Sequence, residues 1–241
     1  MFDKWLAQKK LLVISIGIIT FLTLIRFAVP GGAHLLHRSD WGVLSESLLE
    51  DVQVLVLIVG FVFAVRLVRL AKELGWRIYF GLVAGGLFFI VGEEMSWGQH
   101  IFGWETPEPL AEVNAQNETT LHNLDFFQSP QDFLLGFNFL FVAPVLVSLT
   151  LGTLWIFPLL VNRLRFLSPA VPGWGLSPLF FFSAVFPLYF AIQQSRLIAT
   201  YLEVPWFVEV LDWEIGELGM YAGLALWLIS ASKALSFSSK D

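Results

Sequence analysis

The chain has no cysteine among its 241 residues, and charged residues make up only 14% of it. The first absence excludes a disulfide framework, a thiolate metal site and a cysteine nucleophile. The second excludes an ordinary soluble domain, in which about 25% of the residues are charged. Hydrophobic residues instead reach 56%, and the mean hydropathy is +0.72. This composition predicts that a lipid bilayer is the solvent of the protein.

Successive runs of about 20 mostly apolar residues use up most of the chain, which is the length that a transmembrane helix requires. We therefore predict an all-α fold: a single membrane domain over residues 1–241 with about six transmembrane helices and a long, partly helical extracytoplasmic loop. A capping box from Ser47 to Glu50 marks the start of the second helix. The predicted helices cover about 11–30, 47–65, 78–99, 130–161, 178–199 and 213–232, and the loop covers about 100–129.

The basic residues lie mostly on one side of this predicted bundle. With the N-terminus in the cytoplasm, 11 of the 14 Lys and Arg residues lie inside, and only Arg26, Arg38 and Arg196 lie outside. This distribution follows the positive-inside rule. The same orientation places 17 of the 20 carboxylates and all four histidines outside. We predict a multi-pass cell-membrane protein with both termini in the cytoplasm and an acidic outer face.

Two pairs of glycines at small-xxx-small spacing indicate where helices approach closely. Gly81 and Gly85 lie on the third predicted helix, and Gly219 and Gly223 lie on the sixth. Ordinary packing of a membrane bundle explains both pairs without a function.

Ionisable side chains on several predicted helices fall at a similar depth near the outer end. Charges at this depth are costly if they face lipid, so we expect them to face the bundle interior and one another. Glu93 and Glu94 stand out because they end an outward-running helix, where the helix dipole disfavours negative charge. Helical spacing places Glu93, Ser96 and His100 in one stripe. The predicted catalytic residues are Glu93, Glu94, His100, His122, Glu214 and Glu217.

The charges at this depth do not balance. Two arginines, Arg26 and Arg196, face six carboxylates: Glu50, Asp51, Glu93, Glu94, Glu214 and Glu217. Protonation of some carboxylates, a divalent cation or a cationic substrate would each restore the balance, and the sequence does not choose among them. No cofactor is identified, and no standard metal-binding motif is present. If a divalent metal binds, its candidate ligands are Glu94, His100, His122 and Glu217.

The outer loop carries no Lys or Arg between residues 97 and 131 and is too patterned for a flexible connector. Thr106 and Pro107 predict the N-cap and first turn of a short helix that ends at Glu112. The loop also gathers varied hydrogen-bond donors and acceptors, which suit either recognition of a polar head group or the capping of surface turns. The predicted substrate-binding residues are Arg196, Gln193, Gln99, Asn114, Gln116, Glu118, Asn123 and Glu50.

Three strings carry the most distinctive pattern of this region. They are EEMSWGQ at 93–99, FGWETP at 102–107, and NAQNE at 114–118 followed by His122 and Asn123. Together they resemble a motif block in a family of poorly characterised bacterial polytopic membrane proteins. The resemblance covers about 30 of the 241 residues. It implies a shared site in a bacterial inner membrane and identifies no reaction, since that family has no settled activity.

These observations favour three functions in order. The first is a membrane-embedded hydrolase or transferase that acts on a lipid or lipid-linked substrate at the outer leaflet. The second is a non-catalytic accessory subunit of a membrane complex, and the third is a cation- or proton-coupled transporter, which the almost wholly apolar inner halves of the helices disfavour. Nucleic-acid binding is also disfavoured because the outer face is acidic. The lipid bilayer is the predicted partner, and no protein partner is identified.

Overall fold

The structure, a computed structural model, describes residues 2–28, 42–45, 47–114, 116–125, 139–160, 170–194 and 212–238. Over these residues every regular element is a helix, apart from one isolated antiparallel bridge between Asn114 and Leu124. The all-α prediction is therefore confirmed for this part of the chain. The helices are α1 (Phe2–Ala28), α2 (Leu48–Leu70), α3 (Leu74–Glu94), α4 (Gln99–Phe102), α5 (Glu108–Ala111), α6 (Phe139–Thr153), α7 (Phe157–Leu160), α8 (Ser177–Gln194) and α9 (Asp212–Ser238).

Five segments are long and apolar enough to cross a membrane by length and composition. They are Trp5–Ala28, Leu48–Leu70, Leu74–Glu94, Val142–Leu160 and Trp213–Ser236. A sixth apolar helix, Trp174–Tyr189, is shorter. The last residues of the predicted fifth span, 195–199, and the first of the predicted fourth, 130–138, lie outside the described residues. The prediction of a membrane protein is thus supported by five of the six expected spans.

Several helices are longer than predicted because they include basic residues that were expected to flank them. Lys9 and Lys10 lie within α1, Arg66 lies within α2, and α9 continues past Lys233. Long basic side chains can reach the polar phase while their backbone stays helical. A charge therefore marks where the hydrocarbon layer ends and does not mark where the helix ends.

The third helix ends earlier than predicted, at Glu94 and not near residue 99. Ser96, Trp97 and Gly98 follow with φ values of 45°, 53° and 92°, a left-handed conformation that a right-handed helix cannot contain. The turn folds the Trp97 ring back against α3, where it packs edge-on against Phe88 and Phe89. Tertiary contacts of one aromatic side chain thus accompany the break in the helix.

The large helices pack in the order α3, α2, α9, α8 and α6, and α1 lies against α8 and α9. The central position of α9 is reflected in its burial. In its most apolar stretch 50% of the residues are buried, compared with 17% in α3, which lies at the edge. Leu57, Phe80, Phe180 and Leu228 form part of the core between these helices and are at most 1% exposed. The apolar side chains on the outer helix faces suit contact with lipid.

The two glycine pairs have different surroundings. At Gly219 and Gly223, a Cβ atom would lie 2.6 Å and 2.8 Å from side-chain atoms of α8, so the predicted close approach is confirmed on the last helix. At Gly81 and Gly85, a Cβ atom would meet no described atom within 4 Å. Among the described residues no helix approaches this face of α3 closely, because the face lies at the edge of the bundle.

Asp51 holds the segment that precedes α2. Its carboxylate accepts hydrogen bonds from the backbone N–H groups of residues 43–45 at 2.7, 2.8 and 3.0 Å, and from the Ser45 hydroxyl at 2.9 Å. The Ser47 hydroxyl accepts from the backbone N–H of Glu50 at 3.2 Å, which confirms the predicted start of the second helix. Asp51 is one of the six carboxylates counted in the charge imbalance, and hydrogen bonds from backbone N–H groups stabilise its negative charge.

Candidate functional site

Two hydrogen bonds join α2, α3 and α9 at one end of the bundle. The Gln53 amide on α2 donates to the backbone oxygen of Glu214 on α9 at 2.8 Å. The Tyr221 hydroxyl on α9 donates to Glu94 Oε1 on α3 at 2.9 Å. The start of α2, the end of α3 and the start of α9 therefore meet, and the polar residues that were predicted at one depth share this end.

Glu217 lies within electrostatic range of three other carboxylates, and we call the four the carboxylate cluster: Glu50, Glu94, Glu214 and Glu217. The charges that act most strongly on Glu217 are those of Glu94, Glu214 and Glu50. The structure thus brings together three of the predicted catalytic residues, Glu94, Glu214 and Glu217, with the predicted binding residue Glu50.

Tyr221 is the site residue that the sequence analysis missed. It is 4% exposed, and its hydroxyl contacts the one glutamate of the cluster that α3 contributes. Tyr221 follows Glu217 by four residues and Glu214 by seven, so all three lie on one face of α9. The same helical spacing that groups the two glutamates also includes the tyrosine, so the sequence carried this signal.

Glu93 faces the outer loop and not the cluster. Its Oε1 accepts the Trp97 indole N–H at 2.8 Å, and its Oε2 accepts the backbone N–H groups of Leu121 and His122 at 2.7 and 3.0 Å. The His122 Nδ1 atom lies 3.2 Å from the same Oε2, and the Glu93 side chain is 8% exposed. The adjacent residues Glu93 and Glu94 therefore have separate partners: one anchors the loop, and the other contacts α9.

Gly92 leaves the space that the Trp97 ring occupies, because a Cβ atom there would lie 2.7–2.8 Å from three ring carbons. We expect Gly92→Ala to displace the indole from Glu93 and to lower the free energy of unfolding by about 1–3 kcal/mol. Denaturant titration in detergent micelles, followed by circular dichroism, measures this change. Gly85→Ala on the same helix is the matched control and should cause no loss, since alanine is the better helix former. Equal losses in both variants would contradict the role of Gly92.

His122 contacts Glu93, and 46% of its side chain is exposed. Burial alone would lower the pKa of His122, but the hydrogen bond to Glu93 and the negative charges of Glu94, Glu93 and Glu118 raise it above the ordinary 6.5. A histidine in this range can accept and release a proton near neutral pH.

The raised pKa of His122 predicts that the loop is held more firmly at low pH. The stabilisation is complete below the ordinary value of 6.5 and is lost as the pH rises through the raised folded value. Hydrogen exchange at the amides of Leu121 and His122, corrected for its intrinsic pH dependence, should show more protection at about pH 5.5 than at about pH 8.5. Solvent screening of the half-exposed ring limits the effect to a severalfold change.

His122→Gln should abolish this difference, while His100→Gln should leave it in place. A pH effect that persists in His122→Gln would assign it to another group.

His100 belongs to a separate pair within the loop. Its Nε2 atom lies 2.9 Å from Glu118 Oε1 and 3.3 Å from the Ser96 hydroxyl. The predicted helical stripe of Glu93, Ser96 and His100 is wrong, because α3 ends before Ser96 and Glu93 contacts His122 instead. The predicted catalytic residue His100 thus lies in a different group from Glu94.

The polar residues predicted to bind a substrate hold the loop together. Gln99 Oε1 accepts from the N–H and the hydroxyl of Thr119 at 2.8 and 2.9 Å. Asn114 Oδ1 accepts from two backbone N–H groups of the next turn, both at 3.1 Å, and its amide donates to Thr120 at 2.9 Å. Asn123 donates to Glu118 at 3.0 Å and to Gln116. These bonds explain the polar pattern structurally, and substrate binding stays a prediction for Gln99, Asn114, Gln116, Glu118 and Asn123.

The short helix predicted in the loop is present as α5, but Thr106 does not cap it. The helix begins at Glu108 after Pro107. The Thr106 hydroxyl donates to the backbone oxygen of Asn117 at 2.6 Å and also contacts Gln99. The Thr106 hydroxyl therefore links two parts of the loop and makes no capping hydrogen bond to the start of α5.

Two predicted binding residues lie at or beyond the limit of the described chain. Arg196 lies outside the described residues. Gln193 is placed by its backbone near the end of α8, Ser177–Gln194.

The four candidate metal ligands do not form one group. His100 pairs with Glu118, and His122 pairs with Glu93. Among the side chains that the structure describes, no three acidic or histidine residues lie close enough together to hold a metal ion. The geometry therefore gives the metal hypothesis no support.

Comparison of the chain with models of protein families, with curated proteins and with solved structures finds no match. The resemblance of the loop motifs to a bacterial membrane protein family stays a prediction. The functional argument consequently rests on the geometry of the chain itself.

Proposed function

We propose that the chain spans a bacterial inner membrane six times, with both termini in the cytoplasm. The five segments that can cross a membrane and the 18-residue helix α8 support this topology. The distribution of basic residues supports the orientation. In this arrangement the carboxylate cluster and the loop from Ser96 to Asp125 face the outside of the cell.

Within this topology the protein is a membrane-embedded hydrolase or group transferase that acts on a lipid or lipid-linked substrate at the outer leaflet. The observation that carries the proposal is the Tyr221–Glu94 hydrogen bond, which couples an acidic group on α3 to the acidic face of α9. Carboxylates that crowd one another at low dielectric differ in their affinity for protons, which is the requirement for acid and base roles. Apolar helices on either side give a lipid access to this depth.

The residues divide the chemistry between them. In hydrolysis, one carboxylate takes a proton from the attacking water, and an acidic group returns a proton to the departing oxygen. Glu94 is the proposed base, and Glu217 is the proposed acid that shares its environment. Tyr221 positions Glu94, and His122 exchanges protons with the outside. In transfer reactions an acceptor hydroxyl takes the place of water.

A non-catalytic accessory subunit is the second candidate, and one observation favours it. Many polar groups of the loop hydrogen-bond one another. Phe102 and Trp104 stack 5.5 Å apart on its surface and are 73% and 40% exposed. A rigid loop with exposed aromatic side chains suits contact with another protein. The transporter reading is the least supported, since the buried side chains of the described helices beyond the cluster are almost all apolar.

The test of the proposed enzyme is lipid conversion by the purified full-length protein. Reconstitution into vesicles of bacterial polar lipids and lipid-linked glycans, followed by mass spectrometry, should reveal one species that is consumed and one that is formed. A variant with both Glu94→Gln and Glu217→Gln should form no product, while Glu73→Gln, an exposed carboxylate at the opposite end of α3, should match the wild type. Identical lipid profiles for wild type and double variant would leave the accessory role as the better account.

A further inference from the structure

Four exposed apolar side chains follow the end of α3, and we call them the aromatic ridge: Trp97, Ile101, Phe102 and Trp104. Each of them is between 38% and 73% exposed. Single exposed apolar side chains are common on protein surfaces, whereas a contiguous patch marks a surface of contact with a membrane or with another molecule. The ridge therefore needs a partner, and its position on the fold indicates which one.

The short helix α4 contains both polar and apolar side chains, and their surroundings differ. Its first two residues hold the loop together, since Gln99 accepts from the N–H of Thr119 at 2.8 Å and His100 lies 2.9 Å from Glu118. Its last two residues belong to the ridge and are exposed. A division into bonded polar and exposed apolar side chains is typical of a segment that lies in the plane of a membrane interface.

The ridge continues the surface that α3 presents outside the bundle. The Trp97 ring packs against Phe88 and Phe89, which are themselves exposed and lie inside the membrane-spanning segment Leu74–Glu94. Phe88 precedes the end of this segment by six residues, which is about 9 Å at a rise of 1.5 Å per residue. The exposed part of the Trp97 ring therefore lies beside a part of the helix that is surrounded by lipid.

The Phe102 and Trp104 rings adjoin Trp97 through Gly98. A Cβ atom on Gly98 would lie 3.1 Å from the Phe102 ring and 3.3 Å from the Trp104 ring. The backbone there has a φ of 92°, which glycine adopts without strain. The apolar surface is thus continuous from the outer part of α3 to Trp104, and lipid that covers α3 extends to the ridge.

The charges of the loop limit how deeply it can lie. Glu105, Glu108 and Glu112 follow the ridge in the sequence and are exposed. Carboxylates are costly in the hydrocarbon layer, whereas aromatic side chains favour the layer between hydrocarbon and head groups. We propose that the aromatic ridge inserts into this interfacial layer of the outer leaflet, with the carboxylates of the loop in water. The inference rests on the proposed topology, and it gives the loop a lipid surface as its partner.

Single-cysteine labelling of the full-length protein in lipid nanodiscs tests this inference, because the native chain has no cysteine. Phe102→Cys probes the ridge, and Ile101→Cys is the second position if the first variant does not fold. Glu112→Cys is the control for water, since it replaces an exposed side chain of the same loop. Leu82→Cys is the control for lipid, since Leu82 is exposed near the middle of the span Leu74–Glu94.

The thiols at positions 102 and 82 should react with a charged, water-soluble methanethiosulfonate at least about tenfold more slowly than the thiol at position 112, because apolar surroundings disfavour the reactive thiolate. Nitroxides attached at the same positions distinguish lipid from a protein cover. Oxygen concentrates in hydrocarbon, and a nickel chelate stays in water. The effect of oxygen relative to that of the chelate should therefore decrease in the order of positions 82, 102 and 112.

The controls separate failure of this inference from failure of the topology. Fast modification at position 102 with slow modification at position 82 would overturn the lipid contact alone, and the ridge would then be available to a protein partner. A nitroxide at position 102 that neither oxygen nor the chelate reaches would also overturn it, because protein would cover the ridge. Fast modification at position 82 would refute the proposed span, and the inference with it. Slow modification at position 112 would contradict the division of the loop between lipid and water.

Discussion

Glu93→Ala is expected to release the outer loop from the end of α3. The carboxylate accepts hydrogen bonds from the Trp97 indole and from the backbone N–H groups of Leu121 and His122, and it also pairs with the His122 ring. Alanine leaves these donors without their acceptor in a part of the protein where Glu93 is only 6% exposed. Trp97, Leu121 and His122 are exposed residues, so water can replace part of the lost acceptor, and the expected loss is about 1–3 kcal/mol in total.

Chymotrypsin digestion gives the sharpest measurement of this release. Trypsin does not cut the segment 97–131, which has no Lys or Arg, whereas Phe102 and Trp104 offer aromatic cleavage sites. Cleavage in the loop should be at least about tenfold faster in Glu93→Ala, because local opening becomes more populated. Glu112→Ala, an exposed carboxylate of the same loop, is the control. Equal cleavage rates for Glu93→Ala and wild type would mean that other contacts hold the loop.

Glu94→Gln is expected to lower turnover of the lipid substrate by about 10²–10⁴-fold, the range that a general acid or base contributes. The amide can still accept the hydrogen bond from Tyr221, so the free energy of unfolding should change by less than about 1 kcal/mol. The contrast between a large loss of rate and a small loss of stability separates catalysis from folding. Purified variants assayed on the identified lipid provide both numbers.

Tyr221→Phe gives the companion result for a positioning residue. It removes only the hydroxyl that donates to Glu94 at 2.9 Å, so turnover should fall by about tenfold, less than in Glu94→Gln. The pH dependence of the rate should also change, which a purely structural role of Tyr221 would not produce. A variant of Glu94 with full activity would remove both residues from the reaction.

The helices themselves were predictable because a segment in an apolar environment has to form hydrogen bonds between its own backbone N–H and C=O groups. Long apolar runs have few alternatives to a helix in a membrane, and the structure has helices in each of the six predicted regions that it describes. The helix ends were predicted less well. Lys233 was expected to end the last helix, and α9 continues past it, because a lysine limits the apolar surface without breaking the backbone.

The partners of the carboxylates were not predictable from their spacing. Asp51 and Glu93 entered the charge count as two unbalanced groups, and each proves to accept several hydrogen bonds from backbone N–H groups. The donors to Asp51 are residues 43–45, which precede α2, and the donors to Glu93 lie in the loop that follows α3. Helical periodicity does not predict contacts with segments outside the helix. Tyr221 lies 127 residues from Glu94 in the chain, so only the packing of α9 beside the end of α3 brings them together.

The amino-acid sequence by itself determined that the chain is a helical membrane protein and that its acidic residues gather toward one end. Hydropathy and helical period are local properties, and they need no knowledge of neighbouring helices. Tertiary structure alone decided that Glu93 anchors a loop while Glu94 joins the cluster. The physical reason is that adjacent residues of a helix point about 100° apart. Glu94 therefore meets Tyr221 on α9, while the left-handed turn after α3 brings Trp97 back to Glu93.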